Sequence, residues 1–152
     1  MKYSEYLSSA KRHNCACKVL KEKIEKIEDI NSDEYNFLVL NLYYLSGYII
    51  ECSLKFKIFE VSLFSLNSDV ENEEECIKVN IDYKKRIVTH NFSKLQNFLE
   101  SRVSDIVYTS QDKEVNKLLN SWNPKLRYEH TNLDYKVIKD LYEHTTNFLK
   151  KM

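Results

Sequence analysis

Apolar residues recur at three- and four-residue spacing along most of this 152-residue chain, the period of a helix that buries one face. The first run predicts a helix from about Ser4 to Ile27, with Ala10, Cys17, Leu20, Ile24 and Ile27 on its inner side. "INSDEY" interrupts it and offers Ser32 or Asp33 as the next N-cap. A second helix follows from about Glu34 to Val61, the longest element and apolar over most of its circumference. A helical wheel leaves it only a narrow hydrophilic stripe, Ser46, Ser53 and Lys57, so it is expected at the centre of a bundle.

Past this helix the period is lost. The segment "LNSDVENEEECIKVNIDYKKRIVTHN" starts acidic at Asp69 to Glu75 and ends basic at Lys84, Lys85 and Arg86, the signature of a solvated loop. Within it, Ile77, Val79 and Ile81 alternate as in a short strand, and a short helix fits equally well. Helical spacing returns through Phe92, Leu95, Phe98 and Leu99, then through Val115, Leu118, Leu119 and Trp122 with Ser110 as the expected cap and Pro124 as the stop. A last helix from about Asn132 to Lys150 is expected to bury Leu133, Val137, Leu141 and Phe148, with Thr131 and Asp134 as its capping pair. These elements predict one domain over residues 1–152, an all-α bundle of four to five helices.

Composition sharpens this picture. One Gly and one Pro leave little material for tight hairpins or a Gly-rich phosphate loop. Lys plus Arg equals Asp plus Glu, 23 of each, so no global field draws the chain to nucleic acid or to an anionic membrane. The N-terminus lacks the apolar stretch of a secretory signal, and Ser46, Glu51 and Lys55 interrupt the longest apolar run, so a soluble cytoplasmic protein is expected. Cys15, Cys17, Cys52 and Cys76 form no CxxC motif and no His-paired set; no metal or other cofactor is expected, with Cys52 in the core and Cys76 in a polar loop. Eleven Tyr among many aromatics suggest apolar surface left over for a homodimer.

Three places carry candidate chemistry. Gly47, the only glycine, stands in mid-helix, where it costs roughly 1 kcal/mol against alanine. A close helix crossing at Ser46 and Gly47 is the expected reason, and room for a ligand the alternative. One turn on, Glu51 lies on the apolar side among Leu40, Tyr44, Tyr48 and Ile58, with Lys55 at i+4 in the favourable order for an ion pair. The pair is read as structural, with a functional acid or simple exposure as alternatives, and Glu51 is expected to orient His90 or Arg127. "KKRIVTHNFSKL" gathers Lys84, Lys85, Arg86, His90 and Lys94, suited to a phosphate, although His90 equally fits a capping or packing role. "SWNPKLRYEH" sets Trp122, Arg127, Tyr128 and His130 ahead of the last helix, where Arg over Trp or Tyr fits a structural stack or carboxylate partner and equally what base stacking and phosphate binding require.

Taken together, "YYLSGYIIECSLKF", "THNFSKLQNFL" and "WNPKLRY" resemble the HEPN superfamily of helical domains, in order and spacing over nearly the whole chain. The resemblance implies an up-and-down helical bundle, often dimeric, found beside nucleotidyltransferases or in toxin–antitoxin, stress and phage-defence systems, with Glu51, Lys55, His90, Arg127 and Tyr128 at the motif positions. Nuclease members place four to six residues between an Arg and a His that together cleave RNA without metal. Here three residues separate Arg86 from His90 and two separate Arg127 from His130. The expected function is a module binding a nucleotide, RNA or a partner protein such as an antitoxin. The alternatives are an endoribonuclease working through Arg86, His90, Arg127 or His130, and a purely structural dimerisation domain.

Overall fold

The computed structural model describes residues 1–129 and 132–152, so His130 and Thr131, both named above as site or cap, lie outside the described residues. No strand occurs among the described residues. Six α-helices follow one another among these residues: α1 (Ser4–Ile24), α2 (Asp33–Val61), α3 (Glu73–Lys78), α4 (Phe92–Glu100), α5 (Lys113–Ser121) and α6 (Tyr135–Leu149). A π-helical turn, Tyr83–Ile87, precedes α4, and a 3-10 turn, Pro124–Tyr128, follows α5. The expected four to five helices become six because the charged segment after α2 supplies α3. Its three glutamates open a helix behind Asn72, whose side chain caps Glu75 N–H, and the strand alternative is not adopted.

Helix limits follow local capping chemistry. Ser32 starts α2, its Oγ accepting from the backbone N–H of Tyr35 at 3.2 Å. α1 stops at Ile24, one turn short of Ile27, with Glu25 at its C-cap. Asp112 rather than Ser110 caps α5, accepting from both Glu114 and Val115; Ser110 Oγ instead accepts from Asp112 N–H. α6 begins at Tyr135 rather than Asn132, because Asp134 itself is the N-cap. Its buried side is Ile138, Leu141, Tyr142, Thr145 and Phe148, whereas Leu133 and Val137 are only half-buried.

α2 is the common partner of α1, α4, α6 and the 3-10 turn. Every residue from Ile49 to Phe59 is buried. The stripe expected to face solvent does not: Ser46 and Ser53 are fully covered and Lys57 nearly so, its charge satisfied by Glu60 one turn on. α2 is long and apolar enough to cross a bilayer by length and composition, and 61% of its most apolar window is buried inside the protein, as in a core helix. Cys76, expected in a polar loop, is buried under α3 and donates its thiol to the Val70 carbonyl at 3.3 Å. The aromatics are mostly inside as well. Among the described residues Phe37 and Tyr128 are the exposed aromatics, and the other large exposed apolar side chains are aliphatic or Met.

Gly47 is not at a helix crossing. Trp122, just past α5, lays its indole against it, and a Cβ at Gly47 would fall within the indole's Nε1 and Cε2 atoms. The indole N–H donates to the Tyr44 carbonyl at 3.0 Å. The ring stacks on Phe92 at 4.8 Å and meets Tyr48 edge-on at 5.0 Å. Ser46, by contrast, does face α1, where its Oγ lies 3.9 Å from Cys17 Sγ. Gly47→Ala should therefore destabilise by about 1 to 3 kcal/mol, because overpacking outweighs the gain in helix propensity. In a Trp122→Ala background the same substitution should turn neutral or stabilising, a sign change that chemical denaturation of the double-mutant cycle reads directly.

Candidate functional site

The charged group on α2 lies one turn beyond Gly47. Glu51 is buried, with only 4% of its surface exposed, and an ionised carboxylate so placed needs a partner for each oxygen. Oε1 accepts from Lys55 Nζ at 2.8 Å, the i,i+4 pair that the spacing predicts. Oε2 meets His90 Nδ1, also at 2.8 Å. The buried Lys55 ammonium lies in addition 5.9 Å from the Tyr6 ring centroid of α1. Of the two groups expected to be oriented by Glu51, it is His90 that reaches the carboxylate.

His90 is free to do so because its neighbours take over the local backbone work. Asn91 caps α4, its Oδ1 accepting from Lys94 N–H at 2.9 Å, and Thr89 Oγ1 accepts from Asn91 N–H at 3.1 Å. The capping role considered for His90 thus belongs to Asn91. With Nδ1 turned inward as the donor to Glu51, the tautomer is set and Nε2 lies on the opposite ring edge. The imidazole side chain is 55% exposed, so this edge faces solvent while the carboxylate behind it does not.

Aromatic rings frame the imidazole. Tyr48 meets His90 edge-on at 6.4 Å and stacks on His13 of α1 at 5.4 Å. Its hydroxyl is 3.4 Å from that of Tyr44. Burial holds the His13 imidazole below its ordinary pKa, reinforced by the Arg12 guanidinium and opposed by Glu51. Burial also pushes the Cys52 thiol up to about 11, with Glu51 adding to it, so this cysteine stays protonated and unreactive. Tyr48 is raised for the same primary reason, so its hydroxyl stays neutral.

The other expected site residues divide. Arg127 stacks over the exposed Tyr128 ring at 4.8 Å, and its further neighbour is Tyr44, which puts it at the edge of the same aromatic group. Arg86 goes elsewhere: its guanidinium lies 5.4 Å over the Phe98 ring, so it does not join His90 on Glu51. One contributor escaped the sequence reading, His13, and Tyr48 was named there only as an apolar neighbour of Glu51. A signal for His13 was available, since it sits three residues after Ala10 and four before Cys17, on the face of α1 that turns toward α2. Among the described residues no group of three or more His, Cys, Asp or Glu side chains could hold a metal ion.

The chemistry of this arrangement is that of a held imidazole. One carboxylate already balances one ammonium, so protonating His90 adds a net positive charge at the surface, next to Tyr48, on which the Arg127 charge also acts. Removing the carboxylate tests the inner half of the arrangement. Glu51→Ala leaves the Lys55 charge buried without its partner and should destabilise the fold by on the order of 3 kcal/mol in denaturant unfolding. Replacing both charges with apolar residues of similar shape, Glu51→Leu with Lys55→Met, should recover most of that loss. Comparison of the chain with protein-family models, with curated proteins and with solved structures yields no match, so its chemistry is read from this geometry.

Proposed function

We propose that the chain is a helical module that binds a phosphate-bearing ligand, a nucleotide or RNA, on the surface around His90, as the HEPN resemblance implies. The observation that carries the reading is the exposed imidazole held from behind by a buried carboxylate, which is itself neutralised by Lys55. Satisfying the second carboxylate oxygen needs a donor, but not one that is itself exposed. Recruiting an exposed His from a residue 39 positions away adds a polar group whose working edge faces outward. Tyr48 and Tyr44 beside it, and Arg127 over Tyr128, supply ring faces and a cation of the kind that single-stranded nucleic acid and nucleotides use.

The same geometry favours a second reading, a metal-independent endoribonuclease. An imidazole fixed through Nδ1 presents Nε2 for proton transfer, and an arginine nearby can stabilise charge developing on a phosphate. In this reading His90 is the proton-transfer group and Arg127 the electrostatic one, while Arg86, turned over Phe98, is outside the site.

Binding of a fluorescent single-stranded RNA and of a nucleoside triphosphate, followed by anisotropy and calorimetry, separates these readings from a purely structural role. His90→Ala and Arg127→Ala should each weaken binding by about tenfold or more and lower its salt dependence; Arg127→Ala should leave the melting temperature nearly unchanged, whereas His90→Ala, which strips one oxygen of the buried carboxylate of its partner, should lower it without unfolding the protein. Unchanged binding in both variants would remove the proposal. Incubating the same RNA in the presence of a chelator then decides for or against cleavage, with His90→Ala as the inactive comparison.

A further inference from the structure

A second imidazole lies against Tyr48, and it takes no part in holding Glu51, whose two oxygens already have Lys55 and His90. His13, in the middle of α1, stacks on the Tyr48 ring at 5.4 Å with the planes 28° apart. His90, from the entry to α4, meets the same ring edge-on at 6.4 Å. Among the described residues no protein group hydrogen-bonds either ring nitrogen of His13. Ser53 Oγ is the one fully buried side-chain polar atom there without a partner, so the His13 nitrogens reach the surface. An apolar ring would pack on Tyr48 equally well, and an imidazole adds two polar atoms that the fold does not use.

The charges around this ring are mostly of one sign. Arg12 is exposed, and its charge acts on His13 and on Cys52 of α2, so the guanidinium lies on the α2 side of α1. Arg127, on the 3-10 turn, acts on Tyr44 and Tyr48 from the other end. The one carboxylate acting on both His13 and Tyr48 is Glu51, and Lys55 balances it. Three elements thus border the half-buried Tyr44 and Tyr48 rings with groups that carry or accept a positive charge. A single phosphate reaches only one end of such a row. Cations with aromatic rings between them match a strand of phosphates with bases between them.

We propose that the ligand of the His90 site is single-stranded nucleic acid rather than a mononucleotide, and that Arg12 and His13 contact a second phosphate where the strand crosses Tyr48. The proposal rests on the phosphate-binding reading of His90 and extends it to α1, which that reading does not use. In the free protein burial, reinforced by Arg12, holds the His13 imidazole below its ordinary pKa, so it is neutral near pH 7. A phosphate beside it favours the charged form, so the strand binds with uptake of a proton at His13 and more tightly as pH falls.

Anisotropy with short fluorescent RNA and DNA strands of one sequence, and competition by a nucleoside monophosphate, test the proposal on the full chain. His13→Phe keeps a ring to stack on Tyr48 and loses the nitrogens; Arg12→Ala loses the charge. Each should weaken strand binding by about fivefold to tenfold, leave the monophosphate unaffected and keep the wild-type melting temperature. Lys18→Ala, which removes an equal charge from a different side of α1, should change strand affinity by less than about twofold. Ring-nitrogen NMR should show the His13 titration moving to higher pH when a strand is bound and staying in place with the monophosphate. Whichever strand shows these losses, RNA or DNA, supports the proposal and names the ligand. If His90→Ala weakens the strand while His13→Phe and Arg12→Ala do not, the α1 contact is overturned and the His90 reading stands. A monophosphate bound as tightly as the strand overturns it too. If His90→Ala is also without effect, the phosphate-binding reading fails and this proposal with it.

Discussion

A carboxylate sealed inside the central helix of an all-helical protein must be satisfied by whatever the neighbouring elements can bring, and that requirement organises the region around Glu51. Lys55 costs nothing in topology, because a side chain four residues on already lies over the same face. His90 is different. It comes from the chain entering α4, and the 2.8 Å contact ties that entry to the middle of α2. An uncompensated carboxylate in this position would be among the most expensive features of the fold, so its two partners belong to stability as much as to any chemistry.

The aromatic group beside it performs the same joining from another direction. Trp122 fills the space that Gly47 leaves on α2 and stacks on Phe92, the first residue of α4, while its N–H satisfies a carbonyl of α2. Tyr48 then touches Trp122, His90 and His13, so α1, α2, the α4 entry and the chain after α5 meet at one ring. A surface built this way has its outward groups positioned by residues that also form the core. His90 is therefore a held group on a rigid support and not a loop side chain sampling solvent, which is the condition for selective binding or proton transfer.

What the sequence made legible was everything governed by neighbours along one helix. The buried face of α2, the Glu51–Lys55 pair and the odd placement of Gly47 all follow from spacing within a single element. The reason for Gly47 did not, because its partner Trp122 lies 75 positions downstream and no local rule distinguishes a helix crossing from a seat for an indole. The hydrophilic stripe of α2 failed for a related cause. Ser46 and Lys57 are satisfied by Cys17 and Glu60, so a wheel drawn on polarity alone marked as exposed what the bundle covers. The divergence of Arg86 from His90 was equally out of reach, since an i,i+4 spacing allows the two to converge and only the π-helical turn that carries Arg86 turns it over Phe98.

The central claim is that buried Glu51 fixes one tautomer of an otherwise exposed imidazole. Long-range proton–nitrogen correlation NMR of the His90 ring reads this without a ligand or an assay. The account predicts that neutral His90 carries its proton on Nδ1, with Nε2 free, and that Glu51→Ala returns the ring to the mixture an unheld imidazole shows. A wild-type His90 already in that mixture, or protonated on Nε2 alone, would contradict it.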